Sequence, residues 1–466
     1  MRSLLAALLI SLLWVSPGGA WGQLTVADEA ELARKFQLLI ESRFAVVEDA
    51  VIQDAVQGIV DRLLLAMPPQ PFPVQVRVVE HPSLNAFASA GGQITVFTGL
   101  IAHMESEDEL ASVLAHELAH VSERHVAQVI ERSQYLSVGA LIGMLAGAFL
   151  GASGKTQTGE ALMMGSAAGA GALAFQYSRD NEHAADQLGF AFLVDAGFEP
   201  AAMPRAFGRM RRLQWLGGGG GVPSYLSTHP ALEERMVALE ERVARLPQHI
   251  QRHKADSKNF TLLQTLVRAQ FGQPETAQAV FRAKEKADSC LAALGQGIAA
   301  ARLHQNAEAE AALRSAMACP GVRGIAAREL GRLWLRLGQT AQARRSLQEA
   351  QSAMPQDVST QVLLSQAHAD EGNAALALEL LQPALKRFPR SPQLWQLASR
   401  LEAALGRESA AHIASARAFA VMRRWEKAAW HRDRAASLAR TPAEREALSR
   451  LDGELEDLHS LWRQLS

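Results

Sequence analysis

The chain has 466 residues, 48% of them hydrophobic and 20% charged, with 47 basic side chains against 48 acidic ones for a formal charge of -1. The length excludes a small stapled scaffold and favours two or more domains, the ordinary hydrophobicity excludes a largely disordered polymer, and the balanced charge leaves no global field to hold nucleic acid. Abundant alanine with only 6% aromatics favours helices over an all-β architecture.

Met-Arg-Ser, an apolar stretch from Leu4 to Val15 and a small-residue segment to Gly22 read as a cleaved export signal over residues 1–22, since the apolar core is too short to span ~30 Å of hydrocarbon. Residues 26 to 67 carry helical spacing up to the break Pro68-Pro69-Gln70-Pro71. Val74 to Val79 and Gln93 to Phe97 alternate β-branched residues around Gly91-Gly92, which predicts a small hairpin or sheet. A long helix is expected from about Glu107 to Gln134, with acidic residues crowding its first turn. Two uncharged runs, Ser133 to Gly154 and Ala161 to Ser178, are rich in Gly, Ala and Ser. They suit a closely packed helical hairpin beside a cleft, with peripheral membrane contact as the alternative. Gly217 to Gly221 lack a following Lys-Ser or Lys-Thr, so they read as a flexible lid before His229 rather than a phosphate loop.

The C-terminal half repeats. Gly338, Gly372 and Gly406 stand 34 residues apart; Ala309, Ala343 and Ala377, and Leu313, Leu347 and Leu381, keep the same step. Several such series in phase mean a repeated unit, and the period, the small residues, the turn glycine and the terminal Pro320, Pro355 and Pro389 resemble the tetratricopeptide repeat. About four units are expected between residues 258 and 425, with irregular caps beyond. A first domain over 23–250 and a repeat domain over 251–466 follow. Cys290 and Cys319 are too few for a disulfide-built fold; either a helical hairpin pairs them or they are buried thiols.

His116-Glu117-Leu118-Ala119-His120 falls inside the expected long helix. Residues i and i+4 share a helix face, so two imidazoles can reach one ion while the glutamate approaches a bound water. A third ligand is needed. His125 stands one residue short of the extended three-histidine motif, whose position is Val126. Ser178-Arg179-Asp180-Asn181-Glu182-His183-Ala184-Ala185-Asp186 is the better source: Glu182 can ligate, and Asp186, one turn on, can hydrogen-bond the outer nitrogen of a ligand histidine. His183 points to another side of that helix and reads as a bystander.

These two motifs, together with Asn85-Ala-Phe-Ala, Phe97-Thr-Gly-Leu100, Ser227-Thr-His-Pro230 and Arg235, resemble the HtpX-like and CAAX-prenyl-protease-like gluzincin metallopeptidases. A signal, a catalytic domain and a repeat tail in this order are similar to a periplasmic branch of that family, over essentially the whole mature chain. The resemblance implies a mainly α (α+β) fold: a metalloprotease domain with a small β-sheet, then a tetratricopeptide-repeat α-solenoid. It implies one zinc per chain held by His116, His120 and Glu182, with Glu117 as general base. His229 would either stabilise the oxyanion or close the zinc position at rest, and Asp186, Arg179 and Arg235 would lie around the ligands. It further implies protein substrates, namely misassembled outer-membrane proteins, docking of the repeats to an outer-membrane assembly machine, and no nucleic acid. An extended substrate is expected to pair with an exposed edge at Gln93 to Phe97. The reading from another class is a non-proteolytic chaperone or adaptor; the presence of Glu117 favours the enzyme.

Overall fold

The computed structural model describes residues 24–132, 177–216, 225, 229, 232–253, 258–284 and 289–465. The expected export signal, the helical hairpin between the two metal motifs and the glycine lid lie outside the described residues.

Thr25 and Asp28 form a reciprocal capping box that opens α1 (Val26–Arg43), and Asp49 caps α2 (Ala50–Leu64) by accepting from Val51 N–H. Three strands follow: β1 (Gln75–Val79), β2 (Ala86–Ser89) and β3 (Gln93–Phe97). The sheet order is β1-β3-β2. β3 runs parallel to β1, with Gln75 opposite Gln93, and antiparallel to β2, with Ala86 opposite Val96. This corrects the expectation of an exposed edge at Gln93 to Phe97: that strand is interior and paired on both sides, and β2 takes the edge. The turn from β2 to β3 uses Gly91 and Gly92, both at positive φ, and packs so closely on α1 that a Cβ on Gly91 would lie 2.7 Å from Ala33 Cβ.

After α3 (Thr98–His103), Ser106 caps α4 (Glu107–Ser122), which is buried from Asp108 to Val121. The expected long helix ends early. Arg124 adopts φ 53, its guanidinium pairs with Glu29 and donates to Leu24 O, and the chain restarts as α5 (His125–Arg132). Neither glycine nor proline marks the break; a tertiary ion pair holds an ordinary residue in the left-handed region. α6 (Arg179–Asp195), capped by Ser178, crosses α4 at Gly189. α7 (Ala202–Leu216), α8 (Leu232–Arg245) and the short α9 (Gln248–Gln251) complete the first unit.

The repeat region is a helical solenoid. Four regular hairpins are formed by α12 (Ser289–Arg302) with α13 (Asn306–Met317), α14 (Arg323–Arg336) with α15 (Thr340–Ala353), α16 (Val358–Asp370) with α17 (Ala374–Arg387), and α18 (Pro392–Ala404) with α19 (Glu408–Val421). Before them come α10 (Lys258–Phe271) and α11 (Pro274–Lys284); after them α20 (Trp425–Leu438) and α21 (Pro442–Leu465). The sequence period has a direct cause. Ala309, Ala343 and Ala377 and the three matching leucines are fully buried where paired helices meet, and Gly338, Gly372 and Gly406 turn the chain at positive φ between them. Cys290 and Cys319 form a disulfide across the first regular hairpin.

The solenoid is docked on the first unit. Arg268 of α10 donates to Ala102 O at 2.8 Å, and Ala50 N–H at the start of α2 donates to Ser359 Oγ at 3.0 Å. Arg328 of α14 is fully buried between Asp49 (Nη2 to Oδ2, 2.6 Å) and Asp357 (Nη1 to Oδ2, 3.2 Å). Among the described residues no helix is long and apolar enough to cross a membrane.

Candidate metal centre

α4 presents His116 and His120 one turn apart on a face that is 0–1% exposed. Their Nε2 atoms are 3.0 Å apart. Glu182, in the first turn of α6, brings Oε2 to 3.6 Å from His116 Nε2 and Oε1 to 3.5 Å from His120 Nε2. His229 completes the group, with Nδ1 at 3.2 Å from His116 Nε2 and 2.9 Å from Glu182 Oε1. One donor atom from each of the four lies within 4.8 Å of the others.

The donor set fits zinc. A tetrahedral ion with bonds of ~2.0–2.2 Å places its ligand atoms about 3.3–3.6 Å from one another, close to the 2.9–3.6 Å seen among these atoms. The proton assignment points the same way. His116 Nδ1 lies 3.0 Å from Asp186 Oδ1, and the tautomer with its proton on that side leaves Nε2 a lone pair for a metal. Burial pushes the His120 imidazole well below its usual range, against the pull of Glu182, keeping it a neutral donor. Burial opposes charge on Glu182 too, but His229, His120 and Arg235 outweigh it and hold the carboxyl well below its ordinary value. Two imidazoles and a carboxylate gathered around one point suit a cation.

Around these lie the supports. Arg235 of α8, fully buried, pairs with Glu182 through Nη1 and grips Asp186 with Nε at 2.6 Å and Nη2 at 2.8 Å. Burial would lower its pKa; the two carboxylates raise it instead. Glu117, next to the first histidine, accepts Ala88 N–H of edge strand β2 on Oε2 at 2.9 Å, while its Oε1 has no hydrogen-bond partner among the described residues and stands 3.6 Å from His229 Nε2. Burial raises its pKa against the pull of His229 and His116.

Not every candidate gathers here. Arg179 does not reach the ligands: at the exposed start of α6 it faces Glu234 at 3.6 Å, so no role beside the cluster is retained for it. His183 is exposed. His125, which the spacing argument sets aside as a ligand, is brought back by the break at Arg124, with Nδ1 2.8 Å from His120 Nδ1. Two aromatic rings had no sequence signal. Tyr177 stacks on His120 with centroids 4.0 Å apart, and Tyr225 stacks on His229 at 4.3 Å.

A buried imidazole and carboxylate cluster on a helix that packs under a small sheet, joined to a helical solenoid, defines a metallopeptidase unit with a repeat domain. Comparison with known proteins agrees: residues 47–243 match peptidase family M48, whose metalloproteases are zinc-dependent, and residues 334–405 match the tetratricopeptide repeat. It is 33% identical over 228 residues to a putative beta-barrel assembly-enhancing protease of Vibrio cholerae, covering 49% of this chain and 46% of the relative. It is 25% identical over 397 residues to the beta-barrel assembly-enhancing protease of Yersinia pestis, covering 83% and 79%. The mitochondrial metalloendopeptidase OMA1 of Arabidopsis thaliana is 33% identical over 167 residues, 36% of this chain and 31% of that one. The chain thus spans about half the length of the Vibrio relative and about four fifths of the Yersinia one.

Proposed function

We propose that this chain is a periplasmic zinc-dependent endopeptidase acting in quality control and assembly of outer-membrane proteins, with its catalytic unit over residues 23–250 and its repeat domain over 251–466. His116, His120 and Glu182 would hold the metal, and His229 Nδ1 would be a further donor at rest. The carrying observation is Glu117, one oxygen anchored on Ala88 N–H and the other left open beside the donor cluster.

When bound, zinc polarises the scissile carbonyl and lowers the pKa of its water towards ~7. The rest is the chain's own work. Glu117 Oε1 accepts the proton of the attacking water and later delivers it to the leaving amine; burial, which raises its pKa, makes it the better base. Asp186 and Arg235 fix the orientation of His116 and Glu182. An extended substrate pairing along β2, the strand that holds Glu117, would be bound through its main chain with little sequence preference.

The names of the Vibrio and Yersinia relatives support the outer-membrane role, and the export signal expected from the sequence over residues 1–22 supports the periplasm. The repeats would recruit protein clients and dock to the assembly machinery. A purely non-proteolytic chaperone is not favoured, because the donor set and Glu117 are both complete. Glu117→Gln should leave zinc content by elemental analysis unchanged and lower the cleavage rate of an unfolded casein by about 10²- to 10⁴-fold. A zinc-loaded variant that cleaves at the parental rate would overturn the assignment.

A further inference from the structure

Two cavities adjoin on the inner face of the solenoid. One, of about 490 Å³, is floored by the first helix of successive hairpins: Arg332 and Arg336 of α14, Val362 and Leu363 of α16, Leu394 and Arg400 of α18. The other, of about 540 Å³, lies between the end of α1, β1 and the α17–α18 connection, and draws together Arg77, Arg387 and Arg390. Glu48 and Phe388 line both, so the two form one groove walled by the repeats on one side and the peptidase unit on the other.

Its charge is lopsided. Glu41, Glu48 and Asp370 are the acidic residues lining it. Glu41 serves two arginines at once, Arg77 at 3.4 Å and Arg390 at 3.0 Å. Arg332 pairs with Glu329 and Arg387 with Asp54, whereas Arg336 and Arg400 are exposed and have no ion pair among the described residues. Burial lowers the Arg77 pKa and the neighbouring Arg390 and Arg387 add to this, against Glu41. On a chain of formal charge -1, such a basic excess is local. Among the described residues no lysine lines either cavity; their cations are all guanidinium forks, which match carboxylates in a plane. Between them Leu335, Val362, Phe388 and Leu394 supply apolar floor.

We infer that this groove binds an extended acidic peptide segment of a partner protein, arginine forks gripping its side-chain carboxylates and the apolar floor taking the residues between. A bilayer surface is too flat to enter a groove walled by two units, which sets anionic lipid aside. The site is separate from the metal cluster, and its occupancy is read without proteolysis.

The test uses the full chain and a fluorescein-labelled short peptide of alternating aspartate, leucine and serine, followed by fluorescence anisotropy, with the same peptide carrying asparagine for aspartate as the control. The acidic peptide should bind and weaken with salt, and the control should not bind. The double variant Arg336→Glu, Arg400→Glu should bind at least about tenfold more weakly with an unchanged melting temperature, and Arg336→Lys, Arg400→Lys, which keeps the charge and loses the forks, should fall between it and the parent. Equal binding of the two peptides, an unaffected charge-reversal variant, or displacement of the peptide by phosphatidylglycerol vesicles would overturn the proposal.

Discussion

Asp186 shows how much of the cluster depends on a residue that offers it no donor atom. Its Oδ1 lies 3.0 Å from His116 Nδ1, and both its oxygens face Arg235. Burial works against its charge, but the hydrogen bonds from Arg235 and His116 hold its pKa below the usual value. Asp186→Asn keeps the shape and removes the charge, so His116 loses a carboxylate partner and the Arg235 guanidinium is left to pull on Glu182 alone. Zinc affinity should fall about 10- to 100-fold in competition with a chromophoric chelator; an unchanged affinity would mean that His116 needs no oriented acceptor. At this scale legibility follows sequence distance. His116, Glu117 and His120 can be read because one helical turn relates them, and Asp186 because it stands one turn from Glu182. Arg179 and Arg235 cannot be ranked that way. Both adjoin a motif, yet one starts a helix in solvent and the other is buried, a difference made by the packing of α8 on α6. The rings of Tyr177 and Tyr225 follow no spacing rule at all.

Between elements, the distance from Glu182 to the histidines is set by how closely α6 crosses α4. Gly189 is the contact. A Cβ there would lie 2.9 Å from Ala115 O and 3.0 Å from His116 Cα, and both atoms belong to the backbone of a buried helix that cannot turn aside. Gly189→Ala must therefore part the helices at the very residue that carries the first imidazole. Overpacking of this kind costs about 1–3 kcal/mol. The melting temperature should drop, and the stabilisation added by zinc should shrink with it; a variant whose zinc-induced shift equals the parental one would show that another contact sets the spacing. The periodic elements were the readable ones. The 34-residue step survives in the sequence because each hairpin buries the same small residues against its neighbour. The break at Arg124 and the strand order did not survive, since each is decided by a partner far along the chain: Glu29 for the break, β1 for the position of β3.

The whole molecule is held together by a charge network that no local pattern could announce, because Arg328 and Asp49 are 279 residues apart. Asp49 caps α2, accepts from Gln270 at 2.9 Å and meets Arg328; Asp357 caps α16 and meets the same guanidinium. Each carboxylate thus joins a helix start to the interface between peptidase unit and solenoid. Burial would raise the Asp49 pKa, but Arg328, the hydrogen bond from Gln270 and the charge of Arg332 together outweigh it and hold the carboxyl below its ordinary value. A carboxyl whose folded pKa is depressed adds stability above its unfolded value and loses it as pH drops through the folded one, so this contribution is present above about pH 4 and lost in stronger acid. Arg328→Met inverts the situation. Asp49 keeps its burial and loses its cation, so breaking the pair should cost about 3–5 kcal/mol at pH 7. With burial opposed only by Gln270, Val51 N–H and the charge of Arg332, its pKa moves up, and protonation on acidification relieves the buried charge. Denaturant titrations of both proteins from neutral to acid pH should show the gap between them narrowing as pH falls, even while each loses stability for other reasons. A gap that stays constant with pH would mean that the interface depends on packing and not on Asp49 being charged, and the coupling of solenoid to peptidase unit would then have to be sought in α10, whose Gln264 and Arg268 side chains donate only to backbone carbonyls.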